Sequence, residues 1–210
     1  MKNSFKKKIV EIYKLLVELG FNNGSEGNVS IRTGKQILIT PSGIDSKNLR
    51  INDISVINLE GELENNIKPS SEAEMHTMIY KKRSEVNAIV HCHSNWASVI
   101  SCLRQKIPSF HYMVAEFGGR DIRCSKYATF GSKKIAKNVF DASIKRKGCI
   151  IANHGQICFG LDLDEAFHLS LALEKLSKQF YFCLLTDKNK LLTKIEMNKV
   201  IKLFDTYKVR

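Results

Sequence analysis

The sequence predicts an α/β fold in which one domain holds a central mixed or antiparallel β-sheet flanked by helices. Helical and strand-like segments alternate along the chain, but imperfectly. The early strand-like segments follow one another through short turns, which argues against a doubly wound parallel sheet. No linker, repeat or low-complexity segment divides the 210 residues, and that length suits one domain. We therefore expect residues 1–210 to form a single domain.

The first half of the chain alternates between a helix, three strands and a second helix. Apolar residues recur with a helical period between residues 5 and 19, and Gly20 ends that helix. Three short strands follow, each bounded by a turn, within residues 22–32, 35–43 and 53–61. The segment 68–83 predicts a helix, and Ser71 with Glu74 fits a capping box at its start.

The second half predicts two more strands and four helices. The stretch "NAIVHCH", residues 87–93, reads as a buried strand, and "GCIIANHG", residues 148–155, reads as another that ends in a turn. The predicted helices are residues 94–105, 131–147, 162–186 and 193–205.

Composition places the chain among soluble globular proteins. Apolar residues make up 43% and charged residues 26%. No run is long and apolar enough to cross a membrane, and the N-terminus lacks the apolar core and cleavage site of a signal peptide. The six cysteines are scattered singly, without a CxxC pair, as in a reducing compartment. We therefore expect a cytoplasmic protein with no membrane partner.

The net charge of +12 raises the question of nucleic-acid binding. The lysines come in small groups on the faces or ends of predicted helices, without the interleaved aromatic residues of a single-strand binder. This scatter favours solvated helix faces, and we expect no nucleic-acid partner. A general positive field would still attract a phosphorylated metabolite.

Three histidines stand where a metal site could form. On a strand, His91 and His93 project from one face, about 7 Å apart along the chain. His154 follows the apolar run "CIIAN" at a predicted strand end. Three imidazoles of this kind can hold zinc and leave a coordination position open. The spacing alone does not decide between this site and satisfied core histidines.

Several turns offer groups that suit a phosphate. Glu72 lies in the predicted first turn of a helix and is a candidate base, and the adjacent Ser70 and Ser71 carry hydroxyls near free helix N–H groups. Similar turns stand at Gly27–Asn28 and at Thr40–Gly43. Each is a common turn signal alone. Three of them beside a possible metal site favour binding of a phosphorylated ligand.

Six motifs occur in an order that resembles the class II aldolase and adducin family over nearly the whole chain. They are "GNVSIR", "LITPSGI", "PSSE", "AIVHCHS", "IPSFHYMVAEFGGRDIRCSKYATFGS" and "NHG". The "HYM" segment, the double glycine and the "YATFG" segment are specific to the aldolase branch of the family. Within that branch the sequence resembles the bacterial enzymes that cleave L-fuculose 1-phosphate. The closing "FDTYKVR" also resembles that branch, where residues 206–210 would form a mobile tail.

The resemblance implies a role for each matching residue. His91, His93 and His154 would hold one Zn²⁺ per subunit, and Glu72 would be the acid/base and a further metal contact. The residues implied in binding the substrate phosphate are Gly27, Asn28, Ser42, Gly43, Ser70 and Ser71. Tyr112 would reach the site of a neighbouring subunit in a homotetramer with sites at its interfaces, and Tyr207 would close over the site.

The implied activity is reversible cleavage of a ketose 1-phosphate, with L-fuculose 1-phosphate as the expected substrate. The products would be dihydroxyacetone phosphate and L-lactaldehyde, through a metal-stabilised enediolate. The alternatives are another pentulose or deoxypentulose 1-phosphate, or a methylthioribulose-1-phosphate dehydratase, against which Tyr112 and Tyr207 argue. A non-catalytic, adducin-like scaffold would lack metal ligands, and the presence of all three histidines and Glu72 argues against it.

Glu116 and Arg120 depart from the branch's pattern and leave the aldehyde open. Cobalt or manganese could replace zinc.

Overall fold

A computed structural model describes residues 2–186 and 188–207, without the side chains of Asp205 and Tyr207. Its helices are α1 (Lys2–Glu18), α2 (Ala73–Lys82), α3 (Asn95–Cys102), α4 (Lys133–Ser143), α5 (Leu163–Thr186) and α6 (Lys194–Tyr207). Its strands are β1 (Asn28–Thr33), β2 (Gln36–Ile39), β3 (Ser55–Asn58), β4 (Ala88–Cys92), β5 (Gly148–Ile151) and β6 (Gly155–Gly160). Two 3₁₀ helices span Ile51–Asp53 and Tyr112–Phe117.

The strands form one six-stranded sheet in the order β3-β2-β1-β4-β6-β5. All five neighbouring pairs are antiparallel. The predicted α/β fold with a central sheet flanked by helices is therefore confirmed, in its antiparallel form. No helix in the described residues is long and apolar enough to cross a membrane.

Helices cover both faces of the sheet. Along β4, Ile89 packs with α2 and α4 on one face, whereas Val90 packs with α1 and α5 on the other. Two-residue alternation therefore turns His91 towards the α2 face. In β1, Val29 and Ile31 pack on the α1 face, so Asn28 and Ser30 also turn towards α2. One face of the sheet thus collects polar groups from two neighbouring strands.

The strand β6 was not predicted. The sequence indicated a turn at Gly155, but residues 152–154 form the turn, with Asn153 at φ 52°, and β6 starts at Gly155. A Cβ at Gly155 would lie 2.5 Å from the carbonyl oxygen of Cys92. Glycine is therefore needed because the new strand passes close to the end of β4.

The predicted start of α2 was also wrong. The helix begins at Ala73, and Glu72 occupies the N-cap position without a side-chain capping hydrogen bond. Ser71 and Glu74 therefore form no capping box. The Glu72 carboxylate points instead to the histidines described below.

Candidate metal and active site

The three predicted histidines converge at one end of the sheet. His91 lies in β4 opposite Ile157 of β6, one residue before the strand ends. His93 follows directly after β4, and His154 lies in the turn between β5 and β6. The Nε2 atoms of His91 and His93 are 3.2 Å apart, and those of His93 and His154 are 3.0 Å apart. Pairing of β4 with β6 therefore brings His154 to His91 and His93, which precede it by 63 and 61 residues.

Glu72 completes this cluster from the start of α2. Its Oε2 lies 3.0 Å from His91 Nε2 and accepts a hydrogen bond of 3.1 Å from Asn28 Nδ2. Its Oε1 lies 3.6 Å from His154 Nε2 and, although buried, has no hydrogen-bond partner. Buried carboxylate oxygens are nearly always paired, so this one has room for another ligand.

The donor set fits a metal ion. One ligand atom from each of Glu72, His91, His93 and His154 lies within 4.8 Å of all the others. Three imidazole nitrogens this close leave lone pairs facing one another, an arrangement that a cation relieves. His91 Nδ1 donates to the carbonyl oxygen of Gln156 at 2.7 Å, and this bond supports an Nε2 lone pair that faces the cluster when the ring is neutral.

The charges of the cluster are strongly coupled. Burial alone would raise the pKa of Glu72, but the charge of His91 and the hydrogen bond with it hold that pKa well below its usual range. Burial opposes the charge on His91, yet Glu72 raises its pKa. Burial and the charge of His91 lower the pKa of His93 to about 3 and that of His154 to about 4. The carboxylate is therefore ionised at neutral pH and two imidazoles are neutral, as metal ligands must be.

A cavity of about 540 Å³ opens beside the cluster and is lined by Glu72, His93 and His154. All six residues predicted to bind phosphate also line it: Gly27, Asn28, Ser42, Gly43, Ser70 and Ser71. The turns that carry them are joined, because Ser42 N donates to the carbonyl oxygen of Lys68 and Ser70 N donates to that of Thr40. None of the described lining residues is a lysine or arginine. Binding of an anion here would rely on hydroxyls, N–H groups and a metal ion.

Of the two predicted tyrosines, Tyr112 lies outside the described lining of this cavity. Tyr112 is 51% exposed on the second 3₁₀ helix, and it is not among the described lining residues. Tyr207 ends α6, but its side chain lies outside the described residues, as do residues 208–210 of the predicted tail. Their predicted roles stay predictions.

Glu116 and Arg120 also lie away from the described cavity lining. Glu116 is buried and its Oε1 is 3.0 Å from His168 Nε2, whereas Arg120 is exposed.

Sequence reasoning missed part of the lining. Tyr127, Thr129 and Phe130 line the cavity and belong to the "YATFG" segment, for which the family resemblance implied no role in the site. Glu26 also lines the cavity, with its Oε2 3.7 Å from His93 Nδ1. Gln156 acts through its backbone carbonyl, which any residue carries, so no signal in the sequence could have found it.

An antiparallel α/β fold with a partly buried cluster of three histidines and one glutamate beside a polar cavity is typical of a metal-dependent enzyme. Residues 7–181 match the family model described as the class II aldolase and adducin N-terminal domain. The chain belongs to this family and is an aldolase, a carbon–carbon lyase.

Curated relatives and a solved structure align with nearly the whole chain. It is 41% identical to a 5-methylthioribulose-1-phosphate/5-deoxyribulose-1-phosphate aldolase of Rhodospirillum rubrum, covering 95% of this chain and 90% of the relative. It is 35% identical to an L-fuculose phosphate aldolase of Escherichia coli, covering 100% and 98%. A solved L-fuculose 1-phosphate aldolase superposes with a TM-score of 0.92 at 33% identity, covering 96% of each chain.

Proposed function

We propose that this enzyme is a zinc-dependent aldolase that reversibly cleaves a ketose 1-phosphate into dihydroxyacetone phosphate and an aldehyde. L-fuculose 1-phosphate, which gives L-lactaldehyde, is the first candidate substrate. The observation that carries the proposal is the buried Glu72, which meets three histidines at the wall of a cavity lined by hydroxyl-bearing turns.

The turns at one side of the cavity would hold the phosphate. Ser42, Ser70 and Ser71 supply hydroxyls there, and the N-terminus of α2 favours negative charge. With the phosphate in these turns, the carbonyl carbon and the C3–C4 bond of the sugar would extend towards the histidines. A divalent ion held by His91, His93 and His154 would supply Lewis-acid stabilisation of negative charge on the substrate oxygens.

Glu72 would move the proton that the reaction requires. In the direction of synthesis, its ionised carboxylate takes a proton from C3 of dihydroxyacetone phosphate, and in cleavage it returns a proton to that carbon. Its burial and its contact with Asn28 hold the carboxylate in one place. Tyr112 of a neighbouring subunit would donate a proton to the aldehyde oxygen as the carbon–carbon bond forms.

A 5-deoxypentulose or methylthiopentulose 1-phosphate is the second candidate substrate. Identity to the Rhodospirillum rubrum relative, 41%, is higher than to the Escherichia coli relative, 35%. The aromatic rings of Tyr127 and Phe130 line the cavity and would suit an apolar end of the sugar. A methylthioribulose-1-phosphate dehydratase would act on a related sugar phosphate but would release no dihydroxyacetone phosphate.

The proposal includes a homotetramer in the cytoplasm with active sites between subunits. Tyr112 supports it, because this tyrosine is exposed and does not line the cavity described for its own subunit. Tyr207 would close over the site. The described cysteines are all free, as in a reducing compartment.

The test is release of dihydroxyacetone phosphate from a panel of ketose 1-phosphates. The metal-loaded enzyme is compared with the EDTA-treated enzyme, with Glu72→Gln and with Glu74→Gln, which removes the same charge from an exposed position two residues away. We expect cleavage to be lost with EDTA and to fall at least about 100-fold in Glu72→Gln but not in Glu74→Gln.

The panel member cleaved with the highest kcat/KM names the aldehyde. If no member is cleaved although the protein holds zinc, the aldolase proposal is wrong.

A further inference from the structure

A buried chain of hydrogen bonds leads away from Glu72 and ends at a tyrosine. Glu72 accepts from Asn28, Asn28 contacts His76 at 2.5 Å, His76 contacts Ser30 at 2.6 Å, and Ser30 contacts Tyr80 at 2.7 Å. Each of these five residues is at most 6% exposed. None of the last three touches the cavity, and the mechanism above does not use them.

Chemistry allows only one direction for this chain of hydrogen bonds. An ionised carboxylate only accepts, so Asn28 must present Nδ2 to Glu72 and Oδ1 to His76. His76 must then carry its proton on Nε2, which leaves Nδ1 to accept from the Ser30 hydroxyl. Ser30 has donated its proton, so the Tyr80 hydroxyl must donate to Ser30.

Burial supports this assignment. It lowers the pKa of His76 to about 3, with a further contribution from the charge of His91, so the ring is neutral and has a single N–H. Burial also raises the pKa of Tyr80, which keeps its hydroxyl protonated.

The repeats of β1 and α2 place the four side chains of this hydrogen-bond chain on two facing surfaces. Asn28 and Ser30 are two residues apart on β1 and share one face, while His76 and Tyr80 are four apart on α2 and share one face. These hydrogen bonds therefore hold α2, whose N-cap is Glu72, against β1, the strand that carries Asn28.

We propose that His76 is a positioning residue: its Nε2–H fixes the side-chain amide of Asn28 in the one orientation that donates to the Glu72 carboxylate. With the opposite tautomer, Asn28 would turn its amide and place an oxygen against Glu72. The base would then be repelled and displaced from its place beside the histidines. The inference rests on the proposed role of Glu72 as the base.

Two conservative variants separate this role from simple packing. In His76→Gln the amide can reach the position of Nε2 and still donate to Asn28, whereas in His76→Asn the shorter side chain reaches only the position of Nδ1. The measurement is exchange of a C3 proton of dihydroxyacetone phosphate with deuterated solvent, which requires Glu72 but no aldehyde. Thermal unfolding shows that each variant is folded.

We expect His76→Gln to exchange within about threefold of the wild type and His76→Asn to lose about 100-fold, the scale expected when a catalytic group is misplaced. Equal losses in the two variants, or no loss in His76→Asn, would overturn the proposal.

Neutron diffraction from the perdeuterated protein tests the same series of hydrogen bonds by a measurement that does not depend on enzyme activity. We expect a deuteron on His76 Nε2 and none on Nδ1, with the Asn28 amide nitrogen towards Glu72. A deuteron on Nδ1 would refute the inference. If the wild type exchanges no proton and cleaves no ketose 1-phosphate, the proposed function fails, and the diffraction result still decides the orientation of Asn28.

Discussion

At the scale of single residues, Gly27 shows how tightly the turn before β1 is packed against the site. Its φ is +63°, and a Cβ there would lie 2.6 Å from the Asn22 side chain and 2.6 Å from the carbonyl oxygen of His91. Asn22 Oδ1 in turn accepts from the backbone N–H of His93. Any side chain at Gly27 would therefore disturb two histidines of the candidate metal site.

We predict that Gly27→Ala lowers the free energy of unfolding and weakens metal binding, whereas Gly34→Ala only lowers stability slightly. Gly34 has nearly the same φ, +60°, but nothing lies within 4 Å of an added Cβ. The backbone conformation costs about 1 kcal/mol in both variants, and the clash adds roughly 1–3 kcal/mol in Gly27→Ala. Urea denaturation and metal analysis measure the two effects. Equal losses would mean that the clash is relieved without cost.

His76 predicts a dependence of stability on pH in the metal-free protein. Its pKa is about 3 in the fold, mainly because of burial, whereas an unperturbed histidine has a pKa of about 6.5. Between pH 3 and pH 6.5 the unfolded chain binds a proton at His76 that the folded chain does not bind. The free energy of unfolding is therefore unaffected by this group above pH 6.5 and decreases as the pH falls below that value.

The expected slope from this one group is about 1.4 kcal/mol per pH unit below pH 6.5. Urea denaturation of the wild type and of His76→Gln, at a series of pH values from 8 to 5, measures it. The variant should lose stability less steeply as the pH falls. Identical slopes would show that His76 titrates alike in the folded and unfolded states.

At the scale of elements, α5 positions the start of α3 directly after the histidine pair. The Glu174 carboxylate of α5 accepts from the Ser94 hydroxyl and from the backbone N–H groups of Trp96 and Ala97. Ser94 also accepts from the Gln156 side chain. An acidic side chain at a helix N-terminus is favourable, and here it comes from another helix.

We therefore predict that Glu174→Ala costs about 2 kcal/mol of stability, because it removes a charged acceptor from several donors. The control is Lys175→Ala, an exposed position on the same helix, which should stay within about 0.5 kcal/mol of the wild type. Chemical denaturation compares the two. If they shift the midpoint alike, the capping role of Glu174 is wrong.

At the scale of the whole molecule, the positive charge and the cavity are separate features. The net charge is +12, but no lysine or arginine occurs among the described residues that line the cavity. A positive electrostatic field distributed over the surface raises the association rate of an anion, and this effect decreases as the salt concentration rises. The position of a bound phosphate would depend instead on short-range hydrogen bonds.

The proposed assembly predicts complementation between two inactive variants. Glu72→Gln lacks the base, and Tyr112→Phe lacks the hydroxyl that a neighbouring subunit would supply. In mixed tetramers, about one site in four combines an intact Glu72 with an intact Tyr112, so refolding an equal mixture should recover about a quarter of the activity.

The measurement is the aldolase activity of the refolded mixture, compared with the activity of each variant refolded alone. A mixture as inactive as its components, although size-exclusion chromatography shows mixed tetramers, would place Tyr112 outside the neighbouring site.

From the sequence alone we could predict the fold class, all the described α-helices, five of the six strands in the sheet and the main candidate residues of the site. Helical and two-residue periods depend on neighbours in the chain, and they located α1, α5 and β4. The histidines, Glu72 and the phosphate-type turns could be chosen because their side chains carry the chemistry. The ends of helices and strands could not be predicted as well as their positions. The strand β6 begins at Gly155, where the backbone passes close to Cys92, and α2 begins after Glu72, whose carboxylate faces the histidines.

Which of these groups come into contact depends on the packing of the strands and helices. Pairing of β4 with β6 and with β1 brings His154 and Asn28 to His91, across more than 60 residues of sequence in each case. The hydrogen bonds that run from Glu72 to Tyr80 likewise depend on α2 packing against β1, more than 40 residues away in sequence. The spacing of residues in the sequence cannot predict such contacts. They form only when a strand face and a helix face, each set by its own repeat, pack against each other.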